Sequence, residues 1–159
     1  MTTVDIDLTT LSRPTWTTTE ETNVALVADF VRLLMNEHDF DAVRTRYGND
    51  AYVQHNHGIA DGIEGVLETV GNLTKRFPEY SYDVKHIHAD DDMVIFHSHA
   101  TLRAAHRGNH RKGFNITDRW RVADDQIVEH WDSIQPIDRF GRLYALLTGG
   151  KVRNSNGTY

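Results

Sequence analysis

The stretch Asp118-Arg119-Trp120-Arg121-Val122, followed after a short acidic turn by Ile127-Val128-Glu129-His130-Trp131-Asp132, decides the fold. Polar and large apolar residues alternate on both sides of the turn, and this pattern predicts a β-hairpin. The hairpin carries two carboxylates, Asp118 and Asp132, and the imidazole of His130 among large aromatic side chains. Titratable groups in apolar surroundings are more typical of a pocket than of a plain core. We therefore expect a small-molecule site on this hairpin.

The rest of the chain places helices first and strands later. Segments at 80–88, 93–102, 114–122 and 127–135 alternate with period two and predict antiparallel strands. Apolar residues at helical spacing predict helices at 19–36, 39–46 and 61–77, with capping boxes at Thr18/Glu21 and Asp61/Glu64. Residues 51–56 are predicted to be a short extended segment, and 141–147 a last short helix. The sequence predicts an α+β, cone-shaped single domain with three N-terminal helices packed on a curved antiparallel sheet, mixed at its edge.

Composition limits the function classes. A chain of 159 residues with 39% hydrophobic residues fits one domain, at 19–148, between an N-terminal arm (1–18) and a flexible C-terminal tail (149–159). The absence of cysteine excludes disulfides and thiolate chemistry. A net charge of -6 argues against nucleic acid as a partner. Without a long apolar run or a leader, we expect no membrane partner and a cytoplasmic location.

Several histidines accompany the hairpin carboxylates. Alternation places His97 and His99 on one face of the 93–102 strand, and His55 and His57 on one face of the 51–56 segment. If these faces converge with those of Asp118 and Asp132, the cone encloses an apolar cavity that contains imidazoles and carboxylates. For single histidines, and for Trp120 in the core or at an interface, a structural role is the alternative.

The hairpin motif resembles the end of SnoaL-like proteins, which share the cone fold of nuclear transport factor 2 and ketosteroid isomerase. Gln54-His55-Asn56 ahead of Asp61-Gly62, and the strand that ends His97-Ser98-His99, are similar to a branch of predicted aldol-condensation-type enzymes. The resemblance runs over about 23–147. The chain departs from the pattern at Asp125-Gln126, where the family usually has Gly-Lys, and at His57, where it often has Pro.

The resemblance implies acid-base chemistry next to a carbonyl, of aldol cyclisation, isomerisation or dehydration type. By motif, Asp132 is the predicted acid/base, Asp118 shares or orients its proton, and His55 and His99 donate hydrogen bonds to the enolate oxygen. The predicted substrate contacts are His97, His130, His57 and Trp120. The scheme requires no cofactor and no metal. We expect a small apolar carbonyl-containing substrate and a homodimer.

Two other functions fit the same residues. Pairs of the form His-x-His (55/57, 86/88 and 97/99), together with His130-x-Asp132, could bind zinc or non-haem iron if two pairs meet. The chain could also be a non-catalytic ligand-binding or dimerisation module, because one fold can host both enzymes and binding proteins.

Overall fold

The computed structural model describes residues 4–48, 51–148 and 150–158. Within them, five α-helices and one five-stranded sheet form an α+β domain, as predicted. The helices are α1 (Leu8–Leu11), α2 (Thr18–Val31), α3 (Phe40–Tyr47), α4 (Gly62–Arg76) and α5 (Arg139–Thr148). The strands are β1 (Val53–Gln54), β2 (Ser81–Asp90), β3 (Met93–Thr101), β4 (Phe114–Ala123) and β5 (Gln126–Pro136). A π-helical turn (Arg32–Glu37) continues α2, and a 3₁₀ turn (Ala104–His106) lies between β3 and β4.

The sheet has the strand order β1-β5-β4-β3-β2. Strand β1 runs parallel to β5, and the other pairs are antiparallel, so the sheet is mixed at its edge. The hairpin turn between β4 and β5 has positive φ angles of 49° at Asp124 and 58° at Asp125. Two such residues suit the twist of a tight hairpin, and Asp tolerates this conformation better than most residues.

Helix α2 begins at a capping box one residue earlier than expected. The Thr17 hydroxyl accepts the N–H of Glu20 at 3.2 Å, and the Glu20 carboxylate accepts the N–H of Thr17 at 2.7 Å. The prediction of Thr18 and Glu21 was wrong because either threonine can start the same helical spacing.

Helix α4 begins after Asp61 without the predicted capping box. The Asp61 Oδ1 atom accepts the N–H of Gln54 at 2.8 Å, and Glu64 pairs with Arg44 at 2.7 Å. The carboxylate therefore ties the start of α4 to β1 rather than to its own helix. This contact fixes the loop that carries Asn56 and His57.

The helices pack on the inner face of the sheet. Phe30 of α2 meets Trp120 of β4 edge-to-face with ring centroids 6.5 Å apart, and Trp120 meets Phe96 of β3 at 5.4 Å. Each of these three residues is at most 1% exposed. Such aromatic pairs contribute about 0.5–1.5 kcal/mol beyond the burial of their area. They also determine which face of each strand is turned inward.

The N-terminal arm packs on its own domain. Ile6 is buried, and Asn36 Nδ2 donates to the carbonyl oxygen of Val4 at 2.9 Å. Residues 1–3 of the predicted arm lie outside the described residues. No helix in the described part of the chain has the length and apolar content needed to cross a bilayer.

Candidate active site

The β4–β5 ladder brings the two hairpin carboxylates together. Asp118 lies directly opposite Asp132, and Trp120 opposite His130. Asp118 is 2% exposed and His130 6%, while Asp132 is half-buried. Two carboxylates and an imidazole therefore share the inner face of one hairpin, whereas the sequence pattern left open which face of each strand is buried.

A β-bulge in β5 determines which of its residues lie on this inward face. Arg121 pairs with Glu129 but Val122 pairs with Ile127, so Val128 has no cross-strand partner in the ladder. As a result Ile127, three residues before His130, lies on the same inward face and enters the core at 1% exposure. A bulge adds one residue without changing the hydrophobic alternation enough to be visible in the sequence.

A hydrogen-bonded chain runs through His130. Its Nε2 atom lies 3.1 Å from Asp118 Oδ1, and its Nδ1 atom 3.1 Å from Gln54 Oε1. Gln54 Oε1 also accepts the backbone N–H of Asn56 at 2.9 Å, so this oxygen is an acceptor and Nδ1 of His130 must donate to it. The contact between Nε2 and Asp118 then needs one proton. Either a protonated Asp118 donates to neutral His130, or a doubly protonated His130 donates to the Asp118 carboxylate.

Burial governs the charge of Asp118. Removal from water raises the pKa of its carboxyl, and the neighbouring Asp132 carboxylate raises it further, while the hydrogen bond and charge of His130 act in the opposite direction. The net shift is upward. A carboxyl of this kind retains its proton to higher pH than a surface aspartate and can act as an acid.

Asp132 is held from the other side by Asn56. The Asn56 Nδ2 atom lies 2.7 Å from both carboxylate oxygens, while its Oδ1 atom accepts the N–H of Gly58 at 2.8 Å. The second contact fixes which end of the amide faces Asp132. Asp132 therefore accepts hydrogen bonds without receiving a counter-charge from Asn56.

Two polar atoms in this cluster have no protein partner. Asp118 Oδ2 and Gln54 Nε2 are buried, and within residues 4–48, 51–148 and 150–158 nothing bonds to them. An unpaired buried polar group costs about 1–3 kcal/mol. One acceptor and one donor are thus available to a ligand or to ordered water at the centre of the cluster.

An apolar chamber of about 280 Å³ begins two residue pairs along the β4–β5 ladder from the Asp118–Asp132 pair, and none of its described lining residues belongs to the cluster. Ile116 and Ile134 line it, and each is two residues from a carboxylate, Asp118 and Asp132, on the same strand face. Other walls come from Leu73 of α4, Tyr80, Phe114 and Tyr144 of α5. A chamber of this size and lining suits a small apolar molecule.

Buried tyrosines surround the cluster. Burial raises the pKa of Tyr52, Tyr80 and Tyr82, and the charge of Asp118 adds to the effect in each. These phenols therefore stay protonated and remain hydrogen-bond donors. The sequence indicated no site role for these tyrosines, and it indicated Gln54 and Asn56 through the Gln54-His55-Asn56 motif but not through their contacts with His130 and Asp132, which join residues distant in sequence.

Comparison with known proteins identifies the family. The model of the SnoaL-like domain matches residues 27–130, which is most of the described domain. The chain belongs to the SnoaL-like domain family. Among curated proteins, none is similar enough in sequence to match.

Solved structures show the same SnoaL-like fold. A candidate polyketide cyclase from Bacillus cereus is 17% identical with a TM-score of 0.63, covering 77% of this chain and 81% of its own. A candidate SnoaL-like polyketide cyclase from Jannaschia is 16% identical with a TM-score of 0.62, covering 91% and 100%. AclR, a candidate hydroxylase from Streptomyces galilaeus, is 18% identical with a TM-score of 0.60, covering 86% and 89%. At these identities the likeness establishes the fold alone.

In this SnoaL-like domain, His97 and His99 do not face the carboxylates. The inward residues of β3 include Phe96 and Ala100, which are fully buried, so the two histidines lie on the outer face of the sheet. His97 contacts Asn115 Oδ1, and His99 Nε2 donates to the carbonyl of Lys112 at 2.7 Å. The expectation that they share a cavity with Asp132 was wrong.

His55 and His57 also lie outside the cluster. His55 stacks on Trp131 on the outer face, with ring centroids 4.4 Å apart, and contacts the carbonyl of Gly157. His57 Nε2 donates to the carbonyl of Asn156 at 2.8 Å. Trp120 is 1% exposed and forms a core wall that stacks on His130 at 5.2 Å. Of the predicted histidines, the structure brings His130 alone to the two carboxylates.

One arrangement suits a metal ion. Asp118, His130 and Asp132 each offer one ligand atom, and these atoms lie within 4.8 Å of one another. Of the predicted His-x-His pairs, 86/88 and 97/99 lie on neighbouring strands with the His86 and His97 rings 5.6 Å apart, but among the described residues they do not form a group of three ligand atoms. Carboxylate and imidazole are acceptable donors for zinc or non-haem iron. In the structure, however, His130 Nε2 is already bonded to Asp118.

Proposed function

We propose that this protein is a small-molecule enzyme that transfers protons at a carbon next to a carbonyl, in a reaction of aldol cyclisation, isomerisation or dehydration type. One observation carries the proposal. A buried Asp118–His130 pair shares one proton, and it lies beside the Asp132 carboxylate, which can accept one. Neighbouring titratable groups in different environments are typical of acid-base catalysis.

The proposed reaction has two proton transfers: Asp132 carries out one, and the Asp118–His130 pair carries out the other. Asp132 takes the proton from the carbon, and the C–H electron pair becomes the double bond of an enolate or enol. The shared proton of the Asp118–His130 pair is donated to the carbonyl oxygen. Tyr80, which lines the apolar chamber, can supply a further hydrogen bond to that oxygen. Reversal of the two transfers at a different carbon completes an isomerisation.

This assignment keeps Asp132 and Asp118 as candidate catalytic residues and replaces two others. His55 and His99 lie on the outer face, so the hydrogen bonds expected from them pass to His130 and Tyr80. The chamber walls favour a small apolar substrate that carries a carbonyl. The names of the Bacillus and Jannaschia relatives agree with this class of substrate.

Hydrogen exchange at carbon tests the proposal without knowledge of the natural substrate. The protein is incubated in deuterium oxide with bicyclic ketones such as 2-tetralone, and loss of the signal of the proton next to the carbonyl is followed by NMR. We expect exchange faster than in buffer at the same pH. Exchange at the buffer rate for every ketone would contradict the proposal and favour a non-catalytic binding module.

Variants then assign the roles. Asp132→Asn keeps volume and shape but removes the basic oxygen, so exchange should fall by about 10²–10⁴-fold. Asp118→Asn should reduce the exchange rate by a smaller factor. In the double variant the rate should fall by less than the product of the two single factors, because the two groups act together. Asp90→Asn, which removes an exposed carboxylate, is the matched control. Full exchange activity in Asp132→Asn would show that another group is the base.

A metal-dependent enzyme is the second candidate, favoured by the close ligand atoms of Asp118, His130 and Asp132. A metal that binds only the folded protein would raise its melting temperature by mass action. We expect dialysis against a chelator to leave the melting temperature unchanged. A stoichiometric transition metal after purification, together with a lower melting temperature after its removal, would favour the metal scheme instead.

A further inference from the structure

A second cavity, of about 460 Å³, lies between α4, the loop after β1 and the C-terminal segment. Three cationic side chains line it: Arg76 from the last turn of α4, and Lys151 and Arg153 from the C-terminal segment. None of its described lining residues is acidic. In a chain with 23 acidic and 17 basic residues, such a local excess of positive charge is unexpected.

The cations in this cavity are weakly neutralised. Within the described ranges, neither Arg76 nor Lys151 forms an ion pair; the Arg76 guanidinium instead lies 5.6 Å from the ring centroid of Tyr144. Arg153 Nη1 is 3.8 Å from Glu68 Oε1, but the Glu68 side chain is 60% exposed. Exposed pairs at such distances contribute about 0–1 kcal/mol. The charges therefore remain available to an anionic ligand.

The chain orients the Arg76 side chain and anchors the backbone of Arg153. Tyr144 and Phe77 flank the Arg76 guanidinium, which orients its planar face. The backbone N–H of Arg153 donates to the carbonyl of His57 at 2.7 Å. A guanidinium whose position is fixed binds a carboxylate with two parallel hydrogen bonds and little further loss of entropy.

This cavity adjoins the acid-base cluster. It shares Leu73, Ile134 and Tyr144 with the apolar chamber. It is also lined by Asn56, whose Nδ2 atom bonds Asp132. A ligand with its acidic group here can therefore extend its apolar body along Ile134 toward Asp132.

We propose that Arg76, Lys151 and Arg153 form a binding site for an acidic group, a carboxylate, on the substrate. The inference rests on the proposed function for the location of the reacting carbon. It narrows the substrate class from an apolar carbonyl compound to an apolar carbonyl compound that carries an acid. The three cations determine specificity and position the substrate, and they take no part in the proton transfers.

A pair of probes of equal size tests the site. Binding of 2-naphthoate and 2-naphthamide to the full chain is measured by NMR titration at low salt and again at 0.5 M sodium chloride. We expect the carboxylate to bind at least tenfold more tightly than the amide, and the difference to shrink at high salt because the charges are partly exposed to solvent. Equal affinities, or no binding of either probe at millimolar concentration, would overturn the proposal.

Charge-removing variants locate the effect. Arg76→Gln and Lys151→Gln should each remove most of the preference for the carboxylate. Lys75 lies beside Arg76 on α4; it is exposed but does not line the cavity. The control variant Lys75→Gln should therefore retain the preference for the carboxylate. A preference that survives both cavity variants, or that falls equally in Lys75→Gln, would overturn the proposal.

The two proposals fail separately. Naphthoate has no exchangeable proton next to a ketone, so its binding reports on the cationic cavity alone, whereas exchange of 2-tetralone reports on the acid-base cluster alone. Ketone exchange without a preference for naphthoate would remove only the acid site. A preference for naphthoate without exchange would remove only the proposed chemistry.

Discussion

At the scale of single residues, Gln54 determines how protons are arranged around His130. The backbone N–H of Asn56 fixes the Gln54 oxygen as an acceptor, which makes Nδ1 of His130 a donor and leaves Nε2 to share a proton with Asp118. A glutamine that looks like an ordinary strand residue therefore sets the protonation of a histidine and a carboxyl. The sequence indicated the two aspartates and His130, and it included Gln54 in the motif Gln54-His55-Asn56, but it did not indicate the contact between Gln54 and His130.

The raised pKa of Asp118 makes stability depend on pH. A carboxyl whose pKa is raised by folding contributes its full stability below the ordinary carboxyl pKa and loses it as pH rises toward the raised value.

Asp118→Asn has no carboxyl to ionise and can still donate to His130. Its melting temperature should therefore exceed that of the wild type at pH 7.5, and the difference should shrink as pH falls to about 4. Calorimetry at both pH values measures this, with Asp90→Asn as the surface control. A variant less stable than the wild type at pH 7.5 would show that the ionised pair stabilises the fold.

At the scale of elements, the sequence predicted strands more reliably than the direction of their faces. On β4 the apolar residues Phe114, Ile116 and Trp120 alternate with polar side chains, so they share one face, and the structure buries that face. On β3 both faces carry apolar residues, such as Ile95 and Phe96, so alternation could not indicate which face is buried. Packing of Phe30 from α2 against Trp120, which in turn contacts Phe96, decides it, and these contacts join elements distant in sequence.

The sequence predicts that the C-terminal segment, 149–159, is a flexible tail. Its flexibility stays a prediction, and residues 149 and 159 lie outside the described part. In the structure Asn156 Nδ2 donates to the carbonyl of Gln54 at 2.8 Å and to Asp61 Oδ1 at 2.9 Å.

Asn156→Ala should lower the free energy of unfolding by about 1–2 kcal/mol. It should also increase the rate of hydrogen exchange at the backbone amide of Asn56, because the loop loses the two hydrogen bonds from Asn156. Ser155→Ala, an exposed neighbour, is the control. Equal effects in both variants would mean that the segment does not hold the loop.

At the scale of the whole molecule, the two faces of the sheet have different surroundings. The inner face is covered by helices and holds the acid-base cluster. The outer face is partly open, with a cleft of about 370 Å³ lined by residues such as Ile95, Thr117 and Trp131. On this face Trp131 Nε1 and Arg119 Nε are buried without an acceptor among the described residues. We propose that a second copy of the chain covers this face and that the protein is a two-fold dimer.

A stable interface of this kind needs about 800 Å² from each partner, so one large charged side chain at its centre should separate the copies. Thr117 is exposed on the outer face of β4, a central strand, and Thr117→Arg introduces a like charge against its own symmetry mate without disturbing the core. Light scattering at micromolar concentration should give the mass of two chains for the wild type and of one chain for Thr117→Arg. Thr22→Arg makes the same substitution at an exposed position of α2, on the helical layer, and should remain a dimer. A wild-type mass of one chain would rule out the dimer, and a dimer that persists in Thr117→Arg but dissociates in Thr22→Arg would place the interface on the helices instead.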